Sequence, residues 1–155
     1  MASVKTPPRN GTPHGRWGGR SGLKRVIGIV IVAHGGLAGE YLAAMEHVVG
    51  HQAGVVAIAT RPEDDRSAKQ AEICDAADSV DTGAGVVIVT DIFGGSPSNL
   101  SLMACGPSNR RILYGMNLPM LIKLAKSRQR DVPDAVEAAL TAGRKYIDCH
   151  QVQSD

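Results

Sequence analysis

Aromatic residues are scarce: one tryptophan, one phenylalanine and three tyrosines make up 3% of the 155 residues. Few rings are therefore available to flank a flavin. Three cysteines, Cys74, Cys105 and Cys149, are an odd and scattered set with no C-x-x-C pair, which excludes a disulfide scaffold and a cysteine-built metal site. Free thiols in a reducing compartment, and hence a cytoplasmic protein, are expected. The longest apolar run, 26–33, has 8 residues, whereas a membrane span needs roughly 20. That run ends in His34-Gly35-Gly36 and not in a small-residue cleavage site, so neither membrane insertion nor a secretory signal is expected. Nucleotide fingerprints are missing too. There is no G-x-x-x-x-G-K-[ST], no G-x-G-x-x-G after the first apolar run and no G-x-S-x-G around Ser96, which disfavours ATP, NAD and serine-hydrolase chemistry. No cofactor and no metal are expected.

What is present is an ordinary globular mixture, 43% apolar and 21% charged, at a length suited to one domain. The net charge of +2 hides an asymmetry. Residues 1–25 carry six Lys/Arg and no acid, leaving 11 − 15 = −4 for the remainder. The same segment holds five glycines and three prolines without apolar periodicity, so 1–25 reads as a disordered basic extension and 26–155 as the folded domain. A nucleic-acid-binding arm is one use for such a segment. A passive extension is the preferred reading, with no nucleic-acid partner.

Val26 to Ala33, Val55 to Ala59 and Gly85 to Asp91 are short, rich in β-branched residues and almost continuously apolar, the pattern of strands buried on both faces. Arg111 to Tyr114 predicts a fourth strand, and Tyr146 to Val152 a last short one. Between them, helical periodicity covers Leu37 to Val49, a stretch opened by a Thr60/Glu63 capping box and running towards Ser79, a segment from Pro97 to Cys105, and stretches near Pro119 to Ser127 and Pro133 to Tyr146. Alternating strands and helices imply right-handed βαβ units. The fold class is therefore α/β, a flavodoxin-like doubly wound and mainly parallel sheet of order 2-1-3-4.

Such sheets bind ligands at the carboxyl ends of strands where the winding reverses, here between strands one and three. The residues at those two ends are His34 and Asp91. A carboxylate accepting one ring N–H leaves the other ring nitrogen as a nucleophile and stabilises the positive charge that develops on attack. Gly94 and Gly95 let backbone approach a ligand, Ser96-Pro97 reads as N-cap and first helical residue, and Gly35 and Gly36 add flexible amides. Histidine nucleophile, orienting carboxylate and backbone anion cradle together suit the transfer of a phosphoryl group. A receiver domain would also end its third strand in Asp, but it would place acidic magnesium ligands after strand one, where this chain has His34. His47 and His51, spaced i, i+4, are read as surface histidines.

Ile-Val-Ile-Val-Ala-His-Gly at 29–35, Asp-Ile-Phe-Gly-Gly-Ser-Pro at 91–97 and Gly-Met-Asn-Leu-Pro-Met-Leu at 115–121 resemble the mannose-family enzyme IIA component of the bacterial phosphoenolpyruvate-dependent sugar phosphotransferase system. The resemblance covers about 26–149. It implies a protein-histidine phosphotransferase in which His34 is phosphorylated, Asp91 orients it and Ser96 lies beside the phosphate, where the loop reading also puts Gly35, Gly94 and Gly95. It also implies a homodimer with an exchanged C-terminal strand, the phosphocarrier HPr as donor and a IIB protein as acceptor. Phe93 stands where sugar-transporting members often have Trp, residues 1–25 have no counterpart, and no fused IIB domain is evident. The alternative is a non-transporting regulatory module whose His34 phosphorylation state controls binding to a kinase or regulator. The phosphotransfer subunit of dihydroxyacetone kinase is a weaker match, given the complete Gly-Gly-Ser-Pro loop.

Overall fold

The computed structural model describes residues 25–107 and 109–150. In chain order they form β1 (Gly28–His34), α1 (Leu37–Val49), β2 (Val55–Thr60), α2 (Arg66–Val80), β3 (Val86–Thr90), α3 (Ser96–Ser101, continued by a 3-10 turn over Leu102–Cys105), β4 (Arg110–Leu113), α4 (Leu118–Ser127) and α5 (Val132–Lys145). The strands make one sheet of order β2-β1-β3-β4, parallel throughout. In β1 and β3, side chains alternate between two cores. Ile29, Ile31, Ala33, Val87 and Val89 pack with residues of α1, α4 and α5. Val30, Val32, Val86 and Ile88 pack with residues of α2 and α3. Helices on both faces explain why these strands read as unbroken apolar runs.

Two buried arginines fasten the edges. Arg128, just past α4, donates from Nε to the Ile27 carbonyl at 2.6 Å and from Nη2 to the Gly54 carbonyl at 3.3 Å, while its own carbonyl accepts the Ile27 N–H. Burial pushes its pKa down. The carbonyls it caps precede β1 and β2. Arg110, at the start of β4, reaches Asp78 at 2.7 Å and Asp81 at 3.3 Å and donates to the Ala104 carbonyl, tying the outer strand to the end of α2.

Several expectations are corrected. The Thr60/Glu63 capping box does not form. Thr60 ends β2, and α2 starts six residues later at Arg66, where the Asp65 side chain accepts the Ala68 N–H at 2.8 Å. A free carboxylate directly before the first turn is the better acceptor for its exposed amides. Tyr146 caps α5, and residues 147–150 have no regular secondary structure; residues 151 and 152 of the expected last strand lie outside the described residues. The basic extension, except Arg25, also lies outside them.

Gly28 permits the close approach of β1 and α2: a Cβ there would lie 2.5 Å from both the Val80 carbonyl oxygen and its Cγ2. Because one obstacle is backbone, no rotamer change relieves it. Gly28→Ala is expected to destabilise the fold by about 1–3 kcal/mol, read as a lower urea midpoint. An unchanged midpoint would contradict this packing.

Candidate functional site

From β1 the chain winds out to β2, then crosses back over β1 to reach β3, so the loops leaving the carboxyl ends of β1 and β3 part from adjacent strands. His34 is the last residue of β1, and Asp91 directly follows β3. The structure brings them into contact. Asp91 Oδ2 accepts a hydrogen bond from ring Nδ1 of His34 at 2.8 Å and from the His34 backbone N–H at 2.9 Å. Its other oxygen accepts the Ile92 N–H at 2.9 Å. One carboxylate thus fixes both the main chain and the ring of the histidine.

The electrostatics follow from this geometry. Burial alone would push the Asp91 pKa up, but the His34 backbone N–H, its ring, its charge and the Ile92 amide together hold it below the ordinary carboxylate value. An ionised carboxylate only accepts, so the proton of a neutral imidazole sits on Nδ1 and the lone pair on Nε2. The Asp91 side chain is 13% exposed, whereas that of His34 is 53% exposed. The carboxylate is sheltered and the ring is presented.

The loop after β3 lies against that ring. A Cβ on Gly95 would come within 2.9 Å of Ile92 Cγ2, 3.0 Å of His34 Cε1 and 3.6 Å of Nε2, so glycine lets the backbone lie this near without displacing the ring. Gly94 turns the chain with φ +79°. From the first turn of α3, Ser98 donates its hydroxyl to the Gly95 carbonyl at 2.9 Å and Asn99 donates its side-chain amide to the Gly94 carbonyl at 3.2 Å. Among the described residues, nothing accepts a hydrogen bond from the Gly94 or Ser96 amides. Ile92 and Phe93 project from the loop, 56% and 76% exposed, with the Phe93 ring edge-on to Tyr114 at 4.9 Å.

Two expected details are different. Gly35 does not offer a free amide, because its N–H donates to the Thr60 carbonyl at 2.9 Å; what it contributes is a left-handed turn, φ +55°, from β1 towards α1. Ser96 is not the N-cap of α3. Gly95 holds that position in extended conformation, without a side-chain cap bond, and Ser96 opens the helix. Thr60, Ser98 and Asn99 were missed as supports of the loops. The available signals were a threonine closing an apolar strand and two polar residues within four positions of a Gly-Gly pair.

A cleft of about 630 Å³ lined by Lys123, Arg130, Glu137 and Lys145 lies on α4, α5 and the segment between them, and it shares no residue with the His34 site. The His34 ring is half-exposed, and Ile92 and Phe93 of the loop after β3 are exposed as well. That differs from a small-molecule pocket, which engulfs its ligand.

Since the folded pKa of Asp91 lies below its unfolded value, its ionisation stabilises the fold above the ordinary carboxylate range, and this contribution fades as pH falls through the folded value. Asp91→Asn should therefore lower stability at neutral pH and flatten its decline on acidification. Urea midpoints from neutral to about pH 3 measure this, bracketing the ordinary Asp value. An acid slope identical to wild type would contradict the assignment.

A family model described as "PTS system fructose IIA component" matches residues 28–140. The PTS system mannose-specific EIIAB component of Escherichia coli strain K12 is 30% identical over 124 residues, covering 78% of this chain; the chain spans 38% of that relative's length. Among solved structures, a phosphotransferase system component EIIA from Streptococcus agalactiae aligns with TM-score 0.71 at 27% identity, covering 79% of this chain and 96% of the other. The mannose/sorbose-specific IIA subunit from Enterococcus faecalis aligns with TM-score 0.71 at 25% identity, covering 83% and 98%. With the matched segment running from the start of β1 almost to the end of α5, and the histidine loop and the Asp-Ile-Phe-Gly-Gly-Ser-Pro loop both inside it, the chain belongs to the mannose-type IIA family of the sugar phosphotransferase system.

Proposed function

We propose that His34 is the phosphoacceptor of this IIA component, taking a phosphoryl group from the phosphohistidine of HPr and passing it to a IIB protein in sugar phosphotransfer. The observation that carries the reading is the 2.8 Å bond between His34 Nδ1 and Asp91, which leaves Nε2 with its lone pair on an exposed ring. Nε2 attacks phosphorus in line. The N–P bond to the donor histidine breaks as the new N–P bond forms, the electron pair returns to the donor ring, and the His34 proton stays on Nδ1.

Asp91 stabilises the positive charge the ring acquires. The Gly94, Gly95 and Ser96 amides, with the Ser96 hydroxyl, are suited to the phosphoryl oxygens, and Gly95 also holds its backbone against the ring. Gly35 serves by its turn. No metal or cofactor enters, because the developing charge is met by backbone amides and one carboxylate. A homodimer belongs to the same reading, with the segment beyond Tyr146 exchanged between subunits, as does a cytoplasmic location.

Intact-protein mass after incubation with phosphoenolpyruvate, enzyme I and HPr tests it. Wild type should gain one acid-labile phosphoryl group. His34→Ala should gain none while still folding cooperatively in urea, and Asp91→Asn should be slowed by about ten-fold or more. Absence of any gain by wild type with active donors would overturn the reading.

A further inference from the structure

We propose that Thr60, on a different strand from both His34 and Asp91, is a positioning residue that sets the orientation of the His34 ring; this rests on the reading of His34 as phosphoacceptor. Thr60 ends β2 and is in register with His34 across the parallel pair. It holds the peptide groups on both sides of the histidine. Its hydroxyl donates to the Ala33 carbonyl at 3.2 Å, and its carbonyl accepts the Gly35 N–H at 2.9 Å.

The first of these bonds reaches the chemistry through a rigid unit. The Ala33 carbonyl and the His34 N–H belong to one planar peptide and point to opposite sides of it. Thr60 grips the carbonyl side, and Asp91 Oδ2 takes the N–H side at 2.9 Å. That same Oδ2 is the partner of ring Nδ1. Rotation of the plane would pull the N–H away from the oxygen that also fixes the ring, so the Thr60 hydroxyl, added to the ladder bond that the β1–β2 register gives the same carbonyl, fixes the aim of Nε2 through one peptide and one carboxylate. Thr60 is only 3% exposed, and in so dry a position the hydroxyl and carbonyl have little water to replace the bond.

Valine matches the shape and β-branching of threonine, so Thr60→Val removes the hydroxyl and keeps the packing, while Thr60→Ser keeps the hydroxyl. Thr60→Val is expected to lower kcat for phosphorylation by HPr about ten-fold with KM for HPr changed less than about two-fold, as when a supporting group misplaces a reacting atom. Nitrogen-15 NMR of the unphosphorylated ring should show a smaller fraction of the Nδ1–H tautomer, and Thr60→Ser should restore both readouts. A Thr60→Val protein with wild-type kcat and wild-type tautomer populations, altered only in thermal stability, would overturn the proposal. The tautomer measurement needs no phosphate donor. If wild-type His34 takes no phosphoryl group, the phosphoacceptor reading fails by itself and the ring populations still decide the role of Thr60.

Discussion

Asp91 Oδ2 accepts two hydrogen bonds from one residue, the backbone N–H and the ring Nδ1 of His34, and the rest of the site is arranged around that constraint. A histidine at a strand end would otherwise sample several rotamers and both tautomers. With the main chain and ring held by the same oxygen, one nitrogen is committed and the other is left on a half-exposed ring. The carboxylate can do this because it stays ionised, and it stays ionised because its hydrogen bonds outweigh the effect of its burial. The fold supplies the meeting place: β1 and β3 are neighbours in the sheet although His34 and Asp91 lie 57 residues apart in sequence.

Around that pair, each neighbouring loop supplies something different. The loop after β3 brings glycine backbone against the ring, and the first turn of α3 holds its carbonyls through Ser98 and Asn99. The loop after β1 leaves the strand through the left-handed turn at Gly35, whose amide stays on the sheet. Ile92 and Phe93 of the loop after β3 are exposed apolar side chains, and the His34 ring is half-exposed. Such an open surface differs from the enclosing pocket typical of a small-molecule site.

The parts legible in the sequence are those governed by long-range pattern. Unbroken apolar runs such as 29–33 and 86–89 follow from burial on both faces, and the sheet order then dictates that His34 and Asp91 meet. Local hydrogen-bond choices are harder to read. Thr60 satisfies a capping pattern with Glu63 in sequence, yet in the fold its hydroxyl goes to the Ala33 carbonyl across the sheet, a partner 27 residues away that no local pattern reveals. Ser96 has the sequence context of an N-cap because Pro97 follows it, but Gly95 adopts the extended cap conformation and the helix begins one residue earlier than that context suggests. The Gly35 amide is available for an anion only until the parallel pairing of β1 with β2 places the Thr60 carbonyl beside it.

The central claim is that Asp91 selects the nitrogen of His34 that reacts. Nitrogen-15 and phosphorus-31 NMR of the phosphorylated protein identify which ring nitrogen carries phosphorus. Phosphorus on Nε2, with Nδ1 still protonated and hydrogen-bonded, is the predicted result; phosphorus on Nδ1 would require the bond to Asp91 to break and would contradict the account.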